Sequence, residues 1–292
     1  MSRKKKEFPG LGRTLLIVLL HRSLLVRGIR CIGTIFSRFF FFQFRSALFP
    51  RLPVSQVDHV LDARIPFNPR FIRIYLDFTA FWVRIVGFLC IHFGKPGRTH
   101  AAEFIVSITD LYHFAFQIYR KNLSTTERPN YKKNPYFWLI HSVDPHLMCI
   151  PSLHIMLMIH SYTAFNHYLR SLGEEETLKY LAEKVFLGAV VISEAVLYVK
   201  QHSINCIAAA LYTMYCFDPA LFETADAETF VNSLFSAKDI PPEYAPYYTE
   251  PLADPKDIAD LRKQILCLYK SFLEKQNGHW TSPIMDFLKT ML

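Results

Sequence analysis

Glycine is scarce in this chain, at 10 residues in 292. Loop-rich soluble folds use glycine for their turns, so the scarcity points away from them. The six cysteines (Cys31, Cys90, Cys149, Cys206, Cys216, Cys267) lie far apart and form no C-x-x-C pair. That excludes zinc knuckles and a disulfide framework, and leaves buried, inert thiols as the reading. No carboxylate cluster with metal-ligand spacing is present, so neither a metal nor another cofactor is expected. A basic start, Ser2-Arg3-Lys4-Lys5-Lys6, precedes the apolar run Leu15 to Leu20 and superficially resembles a signal peptide. No small-residue cleavage site follows it; His21, Arg22, Arg27 and Arg30 come instead. Repeats of solenoid type are also missing.

Aromatic and apolar residues are what the chain has in excess. There are 26 Phe and 15 Tyr, and 51% of residues are hydrophobic. The net charge of +8 is unevenly placed. Residues 1–217 carry 26 Lys and Arg against 13 Asp and Glu, whereas residues 218–292 carry 7 against 12. The cations interleave with long apolar stretches. That pattern fits anionic lipid headgroups and a bilayer, not nucleic acid.

Five membrane spans are readable, with a sixth left open in the N-terminal region. Met1 to Arg51 holds two apolar runs, Leu15 to Leu20 and Cys31 to Leu48 with Phe39-Phe40-Phe41-Phe42, and reads as carrying one span or an interfacial helix without readable edges. Arg51 to Pro69 holds three prolines and reads as a connector. Phe71 to Phe93 has the length of a span, and its Arg73, Asp77 and Arg84 should face a bundle interior or an interface. Gly94 to Arg98 is a turn, and Ala101 to Tyr119 is the next apolar helix. Tyr136 to Ile150 is short and broken by Asp144-Pro145, so it reads as re-entrant or interfacial. Pro151 to Leu169, Val185 to Val199 and Ile204 to Phe217 complete the set. Beyond Asp218 the chain is acidic and proline-containing, with Pro241, Pro242, Pro246, Pro251 and Pro255. It ends in amphipathic helices, where Ile258, Leu261, Ile265, Leu268 and Phe272 form a packing stripe.

Three short stretches carry chemistry: K-N-L-S-T-T-E-R-P at Lys121 to Pro129, P-S-L-H at Pro151 to His154, and K-Q-H-S-I-N-C at Lys200 to Cys206. Between His154 and His202 the chain should cross the membrane twice, which returns both histidines to one face. Lys121 and Arg128 can neutralise phosphoryl oxygens, Arg128 with a planar fork. A helix starting at Pro151 offers backbone amides and a positive dipole end to an anion, and Ser152 adds a hydroxyl. His154 is placed to protonate a leaving oxygen, and His202 can attack phosphorus as neutral imidazole. His100, His113, His141, His146, His160 and His167 read as interface or structural histidines. Asp110 and Glu194, charged inside apolar runs, are either functional or paired with Arg73 or Arg84.

Together these stretches resemble the motifs of the type-2 phosphatidic-acid phosphatase superfamily, the lipid phosphate phosphatases: K-x6-R-P, P-S-x-H and a segment centred on H-x3-D. P-S-L-H is also similar to the form found in inositolphosphorylceramide-synthase-type phosphotransferases. The likeness covers about residues 70–217. It implies an all-α integral membrane protein, a six-helix bundle working without metal or cofactor through a phosphohistidine. On that resemblance His202 is the nucleophile and His154 the general acid. Lys121, Arg128 and Ser152 bind phosphate, with Lys200 supplying a further cation. Two positions depart from the pattern. Glu194 and Ala195 stand where Ser-Arg is frequent, and Cys206 replaces the aspartate that orients the nucleophilic imidazole. Asn205 or Glu194 are the candidates to substitute for it.

The chain thus divides into a basic N-terminal region with an uncertain first span (1–69), a membrane phosphatase-like core (70–217) and a soluble acidic helical tail (218–292). The leading expectation is a multi-pass phosphoesterase acting on a lipid phosphate or diphosphate, its site on the extracytoplasmic or luminal face. A lipid phosphotransferase of the inositolphosphorylceramide- or sphingomyelin-synthase kind and a catalytically inactive membrane interaction protein are the alternatives. The tail suggests a protein partner of unknown kind.

Overall fold

The computed structural model describes residues 6–131, 133–236, 240–248 and 254–292. Ser2 to Lys5 of the basic start, Lys132 and Pro251 lie outside the described residues. The fold is mostly helical. Among the described residues, one apolar helical run, Pro69–Tyr119, is long and apolar enough to cross a membrane; Leu11–Leu20 and Ile204–Phe217 are apolar but shorter.

The N-terminal helix α1 (Leu11–Leu20) is followed by α2 (Arg22–Ile35), a π-helical stretch (Phe36–Phe41) and α3 (Phe42–Leu48). The last three form one continuous run. The connector then contributes the strand β1 (Val54–Gln56) and short 3-10 turns before α4 (Ile72–Leu76) and α5 (Phe78–Tyr119). Helix α5 has two arms. Gly94 breaks it with φ 56°, a left-handed conformation that glycine adopts without steric cost. A side chain at Gly97 would meet the Leu89 carbonyl oxygen at 2.0 Å. Eight residues along a straight helix lie about 12 Å apart, so the chain folds back sharply here. Helix resumes directly after Gly94, so the expected five-residue turn is compressed into one residue.

This hairpin fixes depth in the molecule. Its beginning and end both reach the start of α7 (Leu153–Ser171): the Phe78 ring lies 4.4 Å from His154, and the Tyr119 hydroxyl donates to the Pro151 carbonyl. Its turn reaches the other end of α7, where the His100 ring stacks on Tyr168 at 4.8 Å. The α2–α3 run follows the second arm, with Phe39 against Tyr112 and Phe42 against Phe116. It therefore extends from the hairpin turn to the α7 start.

Between the hairpin and α7 lie strand β2 (Leu123–Thr125) and helix α6 (Pro135–Val143). Asn134 caps α6 by accepting from Tyr136 N, and Pro135 occupies its first turn, where no amide is needed. Strand β2 pairs in parallel with β1, Ser55 opposite Ser124, an element too short for periodicity to reveal. Helix α8 (Lys179–Tyr198) returns to the α7 start and α9 (Ile204–Phe217) leaves from it. The tail comprises α10 (Thr224–Ser233), α11 (Pro255–Glu274) and α12 (Ser282–Thr290). Leu261, Ile265 and Phe272 of the α11 stripe are buried, with Ile258 and Leu268 half-buried beside them, and Phe272 meets Tyr212 of α9 at 5.5 Å. The tail thus shares one apolar core with the bundle.

The charged residues inside the apolar runs pair differently from the expectation. Arg84 makes two hydrogen bonds to Asp77, at 2.8 and 2.9 Å, within its own helical segment. Glu194 is buried and accepts from the Tyr248 hydroxyl and the Phe235 amide. Neither Arg73 nor Arg84 pairs with Asp110 or Glu194 among the described residues.

Candidate active site

Four segments converge at the α7 start. The β1–β2 pairing presents Ser124, whose amide donates to Leu147 O (3.0 Å) and whose hydroxyl accepts from Ile150 N (2.7 Å). Those bonds lay the 144–151 segment along β2, so Arg128 and Asp144 face each other. The connector holds the α8–α9 loop in turn. Asp62 Oδ1 accepts from Ile204 N at 3.0 Å, and Asn205 Nδ2 donates to Val57 O.

His154 and His202 meet. Nδ1 of His154 lies 3.3 Å from Nε2 of His202, and the Ser152 hydroxyl lies 3.3 Å from the same His202 nitrogen. Both histidines thus stand on one end of the bundle. Tyr75 and Phe78 wall the other side of His154, the latter with ring centroids 4.4 Å apart. His202 is buried, and its charged form pays heavily for lost hydration. Burial therefore holds its pKa well below the ordinary value, and the nearby His154 and His146 add to the effect. A neutral imidazole keeps the lone pair that nucleophilic attack requires.

Arg128 belongs to the same cluster but is already engaged. Its Nη2 donates to Asp144 Oδ2 at 2.7 Å, and its Nη1 donates to the Asp144 carbonyl at 3.1 Å. Asp144 also accepts from its neighbour's amide, His146 N, at 2.9 Å. Burial opposes ionisation of this carboxyl. The hydrogen bond from His146 and the Arg128 charge outweigh burial and hold its pKa well below the usual carboxylate range. His146 in turn lies 2.7 Å from the Thr126 hydroxyl, with the Cys149 sulfur 3.4 Å away. A non-glycine residue with positive φ costs about 1–3 kcal/mol; His146 (φ 62°) and Lys200 (φ 54°), in the two loops that build the cluster, both pay it.

The two lysines point elsewhere. Lys121 is exposed, and its Nζ lies 3.5 Å from the Thr281 hydroxyl of the tail. Lys200 donates to the carbonyls of Asp62 and Ile65, bracing the connector. Its pKa is lowered by burial, the Asp62 charge partly compensating. Neither candidate for the missing orienting group reaches His202: Asn205 binds Val57 O and Glu194 binds the tail. The Cys206 thiol is fully buried, and Nδ1 of His202 has no hydrogen-bond partner among the described residues.

Asp144, His146, Cys149, Gln43 and Phe39 complete the lining of a small cavity beside His154 and His202, about 10 Å³ in volume. None of these five stood out as a site residue in the sequence. The proximity of Asp144-Pro145-His146 to P-S-L-H was the available signal. Gln43 and Phe39 come from the α2–α3 run, far away in sequence, and Gln43 Oε1 accepts from Leu147 N at 2.7 Å. Larger cavities of about 470 and 720 Å³ lie away from the cluster, beside Arg84 and beside Arg98, and neither is lined by His154 or His202.

Comparison with protein-family models, with curated proteins and with solved structures finds no match to this chain.

Proposed function

We propose that this protein is a metal-independent membrane phosphoesterase that acts on a lipid phosphate or diphosphate through a phosphohistidine. The 3.3 Å approach of His154 Nδ1 to His202 Nε2, beside the Ser152 hydroxyl at an uncapped helix start, carries the reading. In the proposed step the lone pair of His202 Nε2 forms a bond to phosphorus as the bond from phosphorus to the leaving oxygen breaks. His154 delivers its proton to that oxygen. Water, activated by the now unprotonated His154, then cleaves the phosphorus–nitrogen bond and restores His202. Arg128, Ser152 and the first amides of α7 neutralise the phosphoryl oxygens.

The proposed setting is a multi-pass bundle. Leu15, Leu16, Leu19, Ile29, Ile32, Phe36, Leu48 and Trp138 are exposed on its outer surface, an apolar face that lipid would cover. Arg27, Lys95 and Arg98 gather near the hairpin turn, the end opposite the histidines. Cations mark the cytoplasmic side of membrane proteins, which supports a site on the outer or luminal face.

The test is turnover of a lipid-phosphate panel in detergent with chelator present, with and without an alcohol acceptor. Phosphate release and an acid-labile phosphoenzyme are expected, both lost in His202→Ala. Transfer to the acceptor in place of release would assign the phosphotransferase reading. No turnover and no phosphoenzyme with any member would leave the non-catalytic reading, which the unpartnered His202 Nδ1 favours.

A further inference from the structure

Arg128 brings a cation to the cluster, and its fork holds a carboxylate from its own chain. Asp144 takes one guanidinium N–H with its carboxylate and another with its backbone carbonyl. Both side chains are largely buried, at 14% and 16% exposure. The adjoining cavity of about 10 Å³ has room for about one water. A phosphoryl group, with three oxygens, enters only if the Asp144 carboxylate leaves. We infer that Asp144 is a specificity-determining residue: it admits a phosphate dianion, as in a phosphomonoester or terminal diphosphate, and rejects a phosphodiester monoanion.

The inference rests on the phosphotransfer reading above and follows from charge. A carboxylate and a phosphodiester each carry one negative charge. Exchanging one for the other at Arg128 gains nothing at the fork and leaves Asp144 ionised in a buried place without its partner, which is costly. A monoester phosphate carries close to two charges at neutral pH and offers three strong acceptor oxygens. Its additional charge and oxygens engage Ser152, the α7 amides and the imidazole pair, none of which Asp144 satisfies. Arg128 Nε, buried and without a hydrogen-bond partner among the described residues, is a further donor that the carboxylate leaves unused. A dianion therefore recovers the cost of displacing Asp144, and a monoanion does not. Diester lipids, the bulk of a bilayer, are thereby kept from occupying the site as competitors.

Binding separates this from catalysis. At pH 8, where a monoester phosphate is dianionic, affinities for methyl phosphate and dimethyl phosphate are measured on the full chain in lipid nanodiscs. Wild type should prefer methyl phosphate by about 10-fold or more, a gap of about 1.4 kcal/mol. Asp144→Asn keeps shape and removes the charge; it should tighten dimethyl phosphate and shrink the preference at least about 5-fold by the same displacement cost. Adding Arg128→Gln should abolish that gain. Displacing bound methyl phosphate with phosphatidic acid in the disc, and failing to displace it with phosphatidylglycerol, would extend the selection from free phosphate to lipid headgroups. Equal affinity of wild type for the two phosphates overturns the inference, whether or not the variant folds. So does an Asp144→Asn variant that weakens both ligands equally. A normal anion preference in a protein that forms no phosphohistidine would instead sink the phosphotransfer reading alone.

Discussion

Helices α7 and α9 begin side by side, each preceded by a serine, and they use it in opposite ways. At α9, the Ser203 hydroxyl accepts from Asn205 N at 3.2 Å and Asp62 accepts from Ile204 N, so the first amides are satisfied by the protein. At α7, Ser152 makes no cap bond and its hydroxyl turns towards His202. A helix start closed by its own side chains is a structural joint. A start left open, beside two imidazoles and a guanidinium, keeps its positive end available to an anion. The same residue at the same place, a serine just before the first helical turn, thus supports folding at α9 and is left free for recognition at α7.

Five substitutions and a pH series break or sharpen this contrast. His202→Ala should abolish the phosphoenzyme and lower turnover by about 10³-fold or more, because covalent catalysis has no substitute nucleophile there. His154→Ala should slow poor leaving groups most, the signature of a lost acid. Rapid-quench kinetics with a labelled lipid phosphate reads both. A labelled phosphoenzyme in His202→Ala would reverse the assignment.

Cys206→Asp tests the α9 start from within. It would place a carboxylate one helical turn beyond His202, whose Nδ1 lacks a partner among the described residues. A gain of about 10-fold in single-turnover rate is expected, since a misoriented histidine in a triad costs up to about 10⁴. An active wild type that the substitution leaves unchanged or slows refutes the idea of a missing orienting group.

Ser152→Ala and Ser203→Ala should then separate function from stability. Ser203→Ala removes a cap and should cost about 1 kcal/mol of stability with phosphate affinity retained. Ser152→Ala should weaken phosphate binding about 5- to 10-fold, the scale of one hydrogen bond to a charged ligand, with little change in thermal stability. Paired thermal shift and phosphate titration measure this, and matched losses in the two variants would erase the contrast.

The smallest effect is pH-dependent. His202 and His146 both have pKa values lowered by burial. The unfolded chain takes up their protons first, near pH 6.5. Stability from these two groups is therefore fully present above about pH 6.5 and declines as pH falls towards their lower folded values. Apparent melting temperature should drop between pH 7.5 and 5.5, and less steeply in His202→Gln. An identical slope in that variant would show that His202 is not buried neutral.

Much of this was legible in the residues, and the losses have physical causes. Ile204–Phe217 is helical over the whole apolar run, and α7 lies within two residues of its expected bounds, because proline and serine mark those starts. Arg128, Ser152, His154 and His202 come together because motif order and the two helices between the histidines return them to one end of the bundle. Lys121 and Lys200 carry the right charge, but a long flexible stem reaches in any direction, and tertiary partners decided theirs. Asp144 appeared only as a helix breaker. Its pairing with Arg128 depends on the β1–β2 register, which three-residue strands cannot announce.

That register has a practical consequence for handling the protein. The last turn of α12 is stitched to β1: Ser55 donates to Leu288 O at 2.7 Å and Gln56 N to Met291 O at 3.1 Å. Strand β1 holds β2, and β2 ends three residues before Arg128. An affinity tag or reporter fused after Leu292 would therefore pull on the strand pair that sets the guanidinium. Purification through the other end, or through a cleavable fusion, keeps that lever unloaded when activity is compared between preparations.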